Sequence, residues 1–412
     1  MEEWEQGPWQ THPHGGGAAP GGTFYREKWG WRKRSGRWET HIGLFVLLTL
    51  ILASYTGVYG WLTNDGFGEE RVPPVPLRAP PASGGVNGTL TSTPISYHYR
   101  TRFVVSDVYE KYGGTILVRV ENLDSTYLFV KSIHFAGEWG VNVVQPVYKL
   151  VGPGDEKKLG VVAFPPPTSG IGQYHRYQIG LEIFSGHKKG RTMEWYPVGV
   201  QYQNVFSFVL HPLARDIPVF ISTQKNDLWP KVEKLVDPDN PTVQSIKTEI
   251  QSKWGDNYTT AHVAAAFDYV YDHIKYSPEP EGADHWQSVA ETLKKGEGDC
   301  EDHAILLASI IDALGGTTRM CVISNHAFAT VYFGGTEEEA MKNWDAVKTY
   351  YGFNDTVAPV HPAFIVADGY WLSVDTLGGF YAGCLPVNAA PTGSTAWEWD
   401  FTSTTALYMV PS

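Results

Sequence analysis

The segment Gly296-Glu-Gly-Asp-Cys300-Glu-Asp-His-Ala-Ile places a cysteine where a turn becomes a helix. Asp299 is a residue type that caps helices. Apolar Ile305, Leu306, Ala308, Ile310 and Ile311 give the segment a face to bury, and Gly315 and Gly316 end it. A cysteine at that position meets the positive end of the helix dipole, which favours the thiolate. The preceding glycines allow close approach of a substrate backbone. A thiolate nucleophile also needs a proton partner. His326 opens the strand-like run Asn325-His-Ala-Phe-Ala-Thr-Val-Tyr332, and Asp375 closes Tyr370-Trp-Leu-Ser-Val-Asp375. An imidazole can shuttle the proton and a carboxylate can orient the imidazole. Together they would support attack on an amide carbonyl through an acyl-enzyme. Each residue has a bland alternative: a buried cysteine, a strand histidine, or an aspartate serving the turn before Thr376. Their context and order favour catalysis.

Trp286 and Gln287 precede the cysteine and are candidates for oxyanion or substrate contacts, although a core role suits Trp286 equally well. Glu301, Asp302 and His303 are of metal-ligating types. Adjacent helical residues point in different directions, so neither a metal nor another cofactor is expected. Glu301 and Asp302 read instead as first-turn charges that complement the dipole.

Elements that could position these groups are legible around them. Residues 241–253 and 259–275 have helical periodicity; in the second, Val263, Ala266, Phe267, Val270 and Ile274 share one face. Strands are predicted near 319–324, 327–333 and 370–375. Helices followed by an antiparallel sheet make an α+β domain over 221–412. Residues 95–220 instead alternate with a period near two, as in TILVRVEN and YQIGLEIF, with turns at Gly152-Pro-Gly-Asp155 and Gly186-His-Lys-Lys-Gly190. That predicts an all-β sandwich, read as a spacer or packing module.

The motifs GDCEDHAILLASIIDALGG, NHAFATVYF and YWLSVDT, in that order, resemble the transglutaminase-like superfamily in its microbial, membrane-associated branch. The approach HWQSVAETLKKGEGDC adds to the likeness, which covers roughly 245 to 380. The resemblance implies a papain-like core with Cys300 as nucleophile, His326 as general base and Asp375 as orienter. It implies a protein or peptide substrate, with the acyl group passed to water or to an amine; hydrolysis is favoured because it needs no second substrate site. Phe328 is a mild departure at an aromatic position. A long stretch between the histidine and aspartate strands contains TEEEAMKNWDAVKTYY, a predicted inserted helix suited to covering the cleft. No calcium-loop pattern is present. The alternative is a non-catalytic surface or envelope scaffold that retains the fold.

Ile42–Leu62 carries no charge and is long enough for a helix to cross a bilayer core of ~30 Å. Arg26, Lys28, Arg32, Lys33, Arg34 and Arg37 precede it, whereas Asp65, Glu69 and Glu70 follow. The positive-inside rule predicts a single-pass cell-membrane protein with a cytoplasmic N-terminus and extracytoplasmic C-terminal domains. The apolar run is too long and too far from the start to suit a cleaved signal peptide. Residues 1–41 form a basic tail read as disordered. Residues 63–94, rich in Pro, Gly and Ser, read as an extended stalk. Asn87, Asn257 and Asn354 head glycosylation sequons beyond the anchor. The net charge of −12 argues against a nucleic-acid partner. Three cysteines are too few for a disulfide scaffold. Either a Cys321–Cys384 bridge with Cys300 free, or three unpaired thiols, fits the count.

Overall fold

A computed structural model describes residues 70–77, 88–214, 220–223, 227–279, 285–392, 398–402 and 406–411. The expected tail and anchor, Ile42–Leu62 included, lie outside them, as does Asn87. Among the described residues no helix is long and apolar enough to cross a membrane. Glu70–Ser412 forms one compact unit.

The period-two segment folds into two facing sheets. β1 (Thr89–Leu90), β3 (Val108–Tyr109), β5 (Tyr127–Gly137), β6 (Asn142–Val151), β8 (Tyr174–Lys189), β9 (Thr192–Tyr202) and β10 (Phe206–His211) make a seven-stranded sheet. β2 (Tyr99–Val105), β4 (Gly114–Asn122) and β7 (Glu156–Phe164) make a three-stranded one. Ile116, Val118, Val120, Val162 and Phe164 pack against Leu128, Ile133, Phe135, Ile179 and Leu181 of the larger sheet. The intervening Leu117, Val161 and Ala163 face the other way, into the helical core that follows. The small sheet is therefore buried on both faces, which explains why Ile116-Leu-Val118 interrupts the expected alternation with three apolar residues in a row before it resumes at Arg119.

The second half is helical first: α1 (Trp229–Leu235), α2 (Pro241–Trp254), α3 (Thr260–His273), α4 (Val289–Lys295) and α5 (Cys300–Ala313). The short pair β12 (Lys275–Tyr276) and β13 (Glu297–Gly298) lies among these helices. A six-stranded sheet follows in the order β11 (Phe220–Ser222), β20 (Ala406–Pro411), β14 (Thr318–Ile323), β15 (His326–Gly334), β17 (Tyr370–Val374) and β16 (Phe364–Val366). Its pairings are antiparallel except β11 with β20. Ala327, Ala329, Val331 and Phe333 of β15 face the helices. Phe328 faces a smaller core on the opposite side, closed by the pair β18 (Ala389–Pro391) and β19 (Trp399–Phe401). Burying each such large apolar side chain contributes roughly 1.5–3 kcal/mol.

The predicted inserted helix is α6 (Glu337–Tyr351). Instead of covering a cleft, it belongs to the helical layer. Ala340, Trp344 and Val347 enter the main core, and the Trp344 indole N–H donates to the Val360 carbonyl at 3.0 Å.

Two expectations need correction. Residues 70–77 are extended but fixed to the core, not a free stalk. The Thr317 hydroxyl donates to the Glu70 carbonyl (2.9 Å) and accepts from Val72 N–H (2.9 Å). Thr260 N–H donates to the Val75 carbonyl, and Arg71 pairs with Asp368. An extended proline-rich chain leaves its own amides and carbonyls unpaired, free to take such partners. Thr89–Leu90, also assigned to the stalk, runs as a strand beside β9. The Cys321–Cys384 bridge is not formed, and all three cysteines are free thiols. Cys321 points into the smaller core and Cys384 into the helical core, so the sheet separates them.

Candidate active site

Local geometry builds the turn before Cys300. α4 ends at Gly296, whose φ of 67° suits a residue without a β-carbon. β13 then runs parallel to β12, with Lys275 N–H donating to Gly296 O and Ser277 N–H to Gly298 O. Gly298 is needed for space: a Cβ there would lie 2.6 Å from that of Asp302. Asp302 closes the turn. Its carboxylate accepts from Asp299 N–H at 3.2 Å and Gln287 N–H at 2.7 Å. Cys300 thus starts α5 on a braced turn, half-buried, with the Ala327 amide beside its sulfur.

His326 is the first residue of β15 and is 6% exposed. Its Nε2 lies 2.7 Å from Asp375 Oδ2. The carboxylate only accepts, so Nε2 carries the hydrogen and Nδ1 is the unprotonated nitrogen of the neutral ring. The ring stacks on Phe328, with centroids 5.8 Å apart. Register explains the pairing. Ala329 is opposite Val374, so one step further Phe328 faces Asp375 and His326 lies diagonally across.

Asp375 is 2% exposed. The loop after β17 folds back around it: Leu377 N–H donates to Oδ1 and Val387 N–H to Oδ2, both at 2.9 Å. Cys384 Sγ donates to the Asp375 carbonyl at 3.4 Å. Burial by itself would raise this acid. The charge and hydrogen bond of His326, with the two amides, outweigh burial and hold it below the ordinary aspartate value.

The thiol departs from the expectation of a lowered pKa. Burial, then the hydrogen bond and charge of Glu301, push Cys300 well above the ordinary thiol range, against the pull of the Ala327 amide. The Sγ donates to Glu301 Oε2 at 3.0 Å.

Cys300, His326 and Asp375 therefore converge where the start of α5 meets β15 and the end of β17. Trp286 is buried in the helical core, with Lys231 Nζ 3.8 Å from its ring centroid. Gln287 is tied to the first turn of α5 through its amide, and its buried Oε1 has no hydrogen-bond partner among the described residues. Asn257 and Asn354 are exposed; the Asn354 side chain accepts from Thr356 N–H and Oγ1 in a local turn.

Sequence reasoning missed the separate tasks of residues 301–303. Glu301 takes the thiol, Asp302 braces the turn, and His303 Nδ1 lies 2.9 Å from Thr376 Oγ1, one residue beyond Asp375. The Asp299-x-x-Asp302 spacing is the one available signal, because it fits a capping box. Residues 244–376 match the family model of the transglutaminase-like superfamily. No curated protein matches the chain.

Proposed function

We propose that this chain, whose residues 244–376 form a transglutaminase-like superfamily domain, is a membrane-anchored, extracytoplasmic thiol enzyme that attacks amides through Cys300. The observation that carries this reading is the buried 2.7 Å His326–Asp375 hydrogen bond beside the start of the helix that bears the cysteine. Asp375 fixes the imidazole and stabilises its cation. His326 Nδ1 takes the thiol proton, and the sulfur forms a bond to the substrate carbonyl carbon. The proton then passes to the leaving amine as the C–N bond breaks, giving an acyl-enzyme. Water or a second amine, deprotonated by His326, resolves that intermediate.

The developing oxyanion would meet N–H groups of the first turn of α5, which have no partner within the helix itself. Gln287, held against that turn, is a further candidate donor, since its side-chain oxygen and nitrogen are interchangeable by a flip. Hydrolysis is the favoured outcome because it needs no second substrate site. The hydrophobic segment Ile42–Leu62 and its basic flank support the anchor and its orientation.

A second reading is a non-catalytic scaffold that keeps the fold. The observation in its favour is the Cys300 thiol bonded to Glu301. A peptide screen with the purified full-length chain, with and without added amines, separates the two. On any substrate found, Cys300→Ala should abolish turnover, His326→Ala should cost about 10²-fold or more, and Asp375→Asn should be severe but milder. Wild-type turnover by Cys300→Ala would remove this residue as the nucleophile. Loss of activity with water alone and its recovery with an amine would identify transfer.

A further inference from the structure

In its resting arrangement the Cys300 sulfur donates to the carboxylate of its own neighbour, with Sγ 3.0 Å from Glu301 Oε2. Glu301 is 8% exposed, so little solvent weakens that contact. A carboxylate that accepts from sulfur favours the thiol, which is the opposite of what a nucleophile requires.

The groups around the pair do not relieve it. Tyr276 on β12 is raised by burial and then by the charges of Cys300, Asp299 and Glu301. Asp299 is raised by burial, then by Glu301 and Asp302, with Glu279 adding to the effect. Asp302 is raised chiefly by burial, against the amides of Gln287 and Asp299. From β15 come the Ala327 amide, which favours the thiolate, and His326, which is held on its far nitrogen by Asp375. The imidazole is thus poised with Nδ1 available, while the proton it would take is directed elsewhere.

We propose that Glu301 is a positioning residue that holds resting Cys300 as a hydrogen-bonded thiol, so that proton transfer to His326 waits until the carboxylate turns away. The inference rests on Cys300 and His326 acting as nucleophile and base. On release the S–H bond breaks, the proton goes to His326 Nδ1, and sulfur keeps the electron pair. No other reactant is consumed. Glu301 does not touch the substrate; it acts through the sulfur.

The test is alkylation of Cys300 by iodoacetamide in the detergent-solubilised full-length chain, followed by peptide mass spectrometry between about pH 6 and pH 11, a range that runs from below the ordinary thiol value to well above it. Buried Cys321 and Cys384 serve as internal controls. Glu301→Ala should label about ten-fold faster at neutral pH, with the midpoint of its pH profile about one unit lower. Glu301→Gln, a neutral acceptor of the same shape, should fall between wild type and Glu301→Ala. It also decides the matter if Glu301→Ala fails to fold by circular dichroism. The acceleration should disappear when His326→Ala is added. If His326→Ala slows labelling but the Glu301 variants leave the midpoint in place or raise it, the role given to Glu301 is wrong while the Cys–His pair stands. If His326→Ala in the wild-type background changes neither rate nor midpoint, the pair falls and the inference falls with it.

Discussion

At the scale of single residues, the site separates groups that bond to Cys300 from groups that hold its surroundings. His303 is of the second kind. It is 4% exposed, and burial pushes its pKa down to about 4, against the Lys275 carbonyl and the charge of Asp375. The unfolded chain protonates this residue near the ordinary value of about 6.5. A folded pKa below the unfolded one means that its contribution to stability is complete above about pH 6.5. That contribution is lost as pH falls to about 4, up to about 3 kcal/mol in all. Asp375 acts in the same direction, but only below about pH 4, because its folded value lies under the ordinary aspartate range. The loss of denaturation midpoint between about pH 7 and pH 4.5 should therefore be clearly smaller in His303→Gln than in wild type, since that window contains most of the His303 titration. Equal losses in the two proteins would show that His303 is not held neutral by the fold.

At the scale of elements, two attachments set where the pieces of the candidate site sit. The first joins the small sheet to the helices. Lys158 on β7 pairs with Asp268 on α3 at 2.8 Å, and Tyr350 and Tyr351 of α6 donate to the same carboxylate. Arg119 on β4 pairs with Asp272 one turn along α3. The second is the segment 70–77, which is fastened to Thr317 just before β14 and to Thr260 at the start of α3. Thr317→Val keeps the shape of the side chain and removes both of its hydrogen bonds. It should lower stability by about 1–2 kcal/mol in chemical denaturation, and cleavage in the 70–77 segment by added protease should become faster. Unchanged stability together with unchanged cleavage would mean that the segment is held by other contacts.

At the scale of the whole molecule, the sheet is a partition as well as a platform. It puts the helical core and Cys384 on one side, and the smaller core with Cys321 on the other. No disulfide is available to staple the fold, so its stability comes from burial and hydrogen bonding. Protein kept oxidised and then denatured without reductant should react with a thiol reagent at three sites per chain, matching the cysteine count. One site per chain would instead mean that Cys321 and Cys384 had paired in a different arrangement. The basic excess before Ile42 carries a separate prediction of topology. Protease added outside intact cells should digest the domains that follow the proposed anchor and spare the tail that precedes it. Detection of the tail on the outer face would reverse the orientation.

The sequence by itself determined what depends on local pattern. Cys300 at a helix start, His326 at a strand start and Asp375 at a strand end were legible because caps, glycines and apolar periodicity act over a few residues. The two-layer β segment and the helices around 241–253 and 259–275 were legible for the same reason. Tertiary structure decided everything that depends on which face meets which. Register across β15 and β17 brings His326 diagonally onto Asp375, and no spacing along the chain encodes that distance. Opposite faces of one sheet keep Cys321 from Cys384, although both follow Cys300 in sequence. Residues 70–77 read as part of an extended stalk because their composition cannot form a core, yet their backbone groups find partners on a surface made elsewhere in the chain. The thiol's environment is the clearest division. The helix start argues locally for a thiolate, but burial and the Glu301 carboxylate, seen only once the chain is folded, favour the thiol.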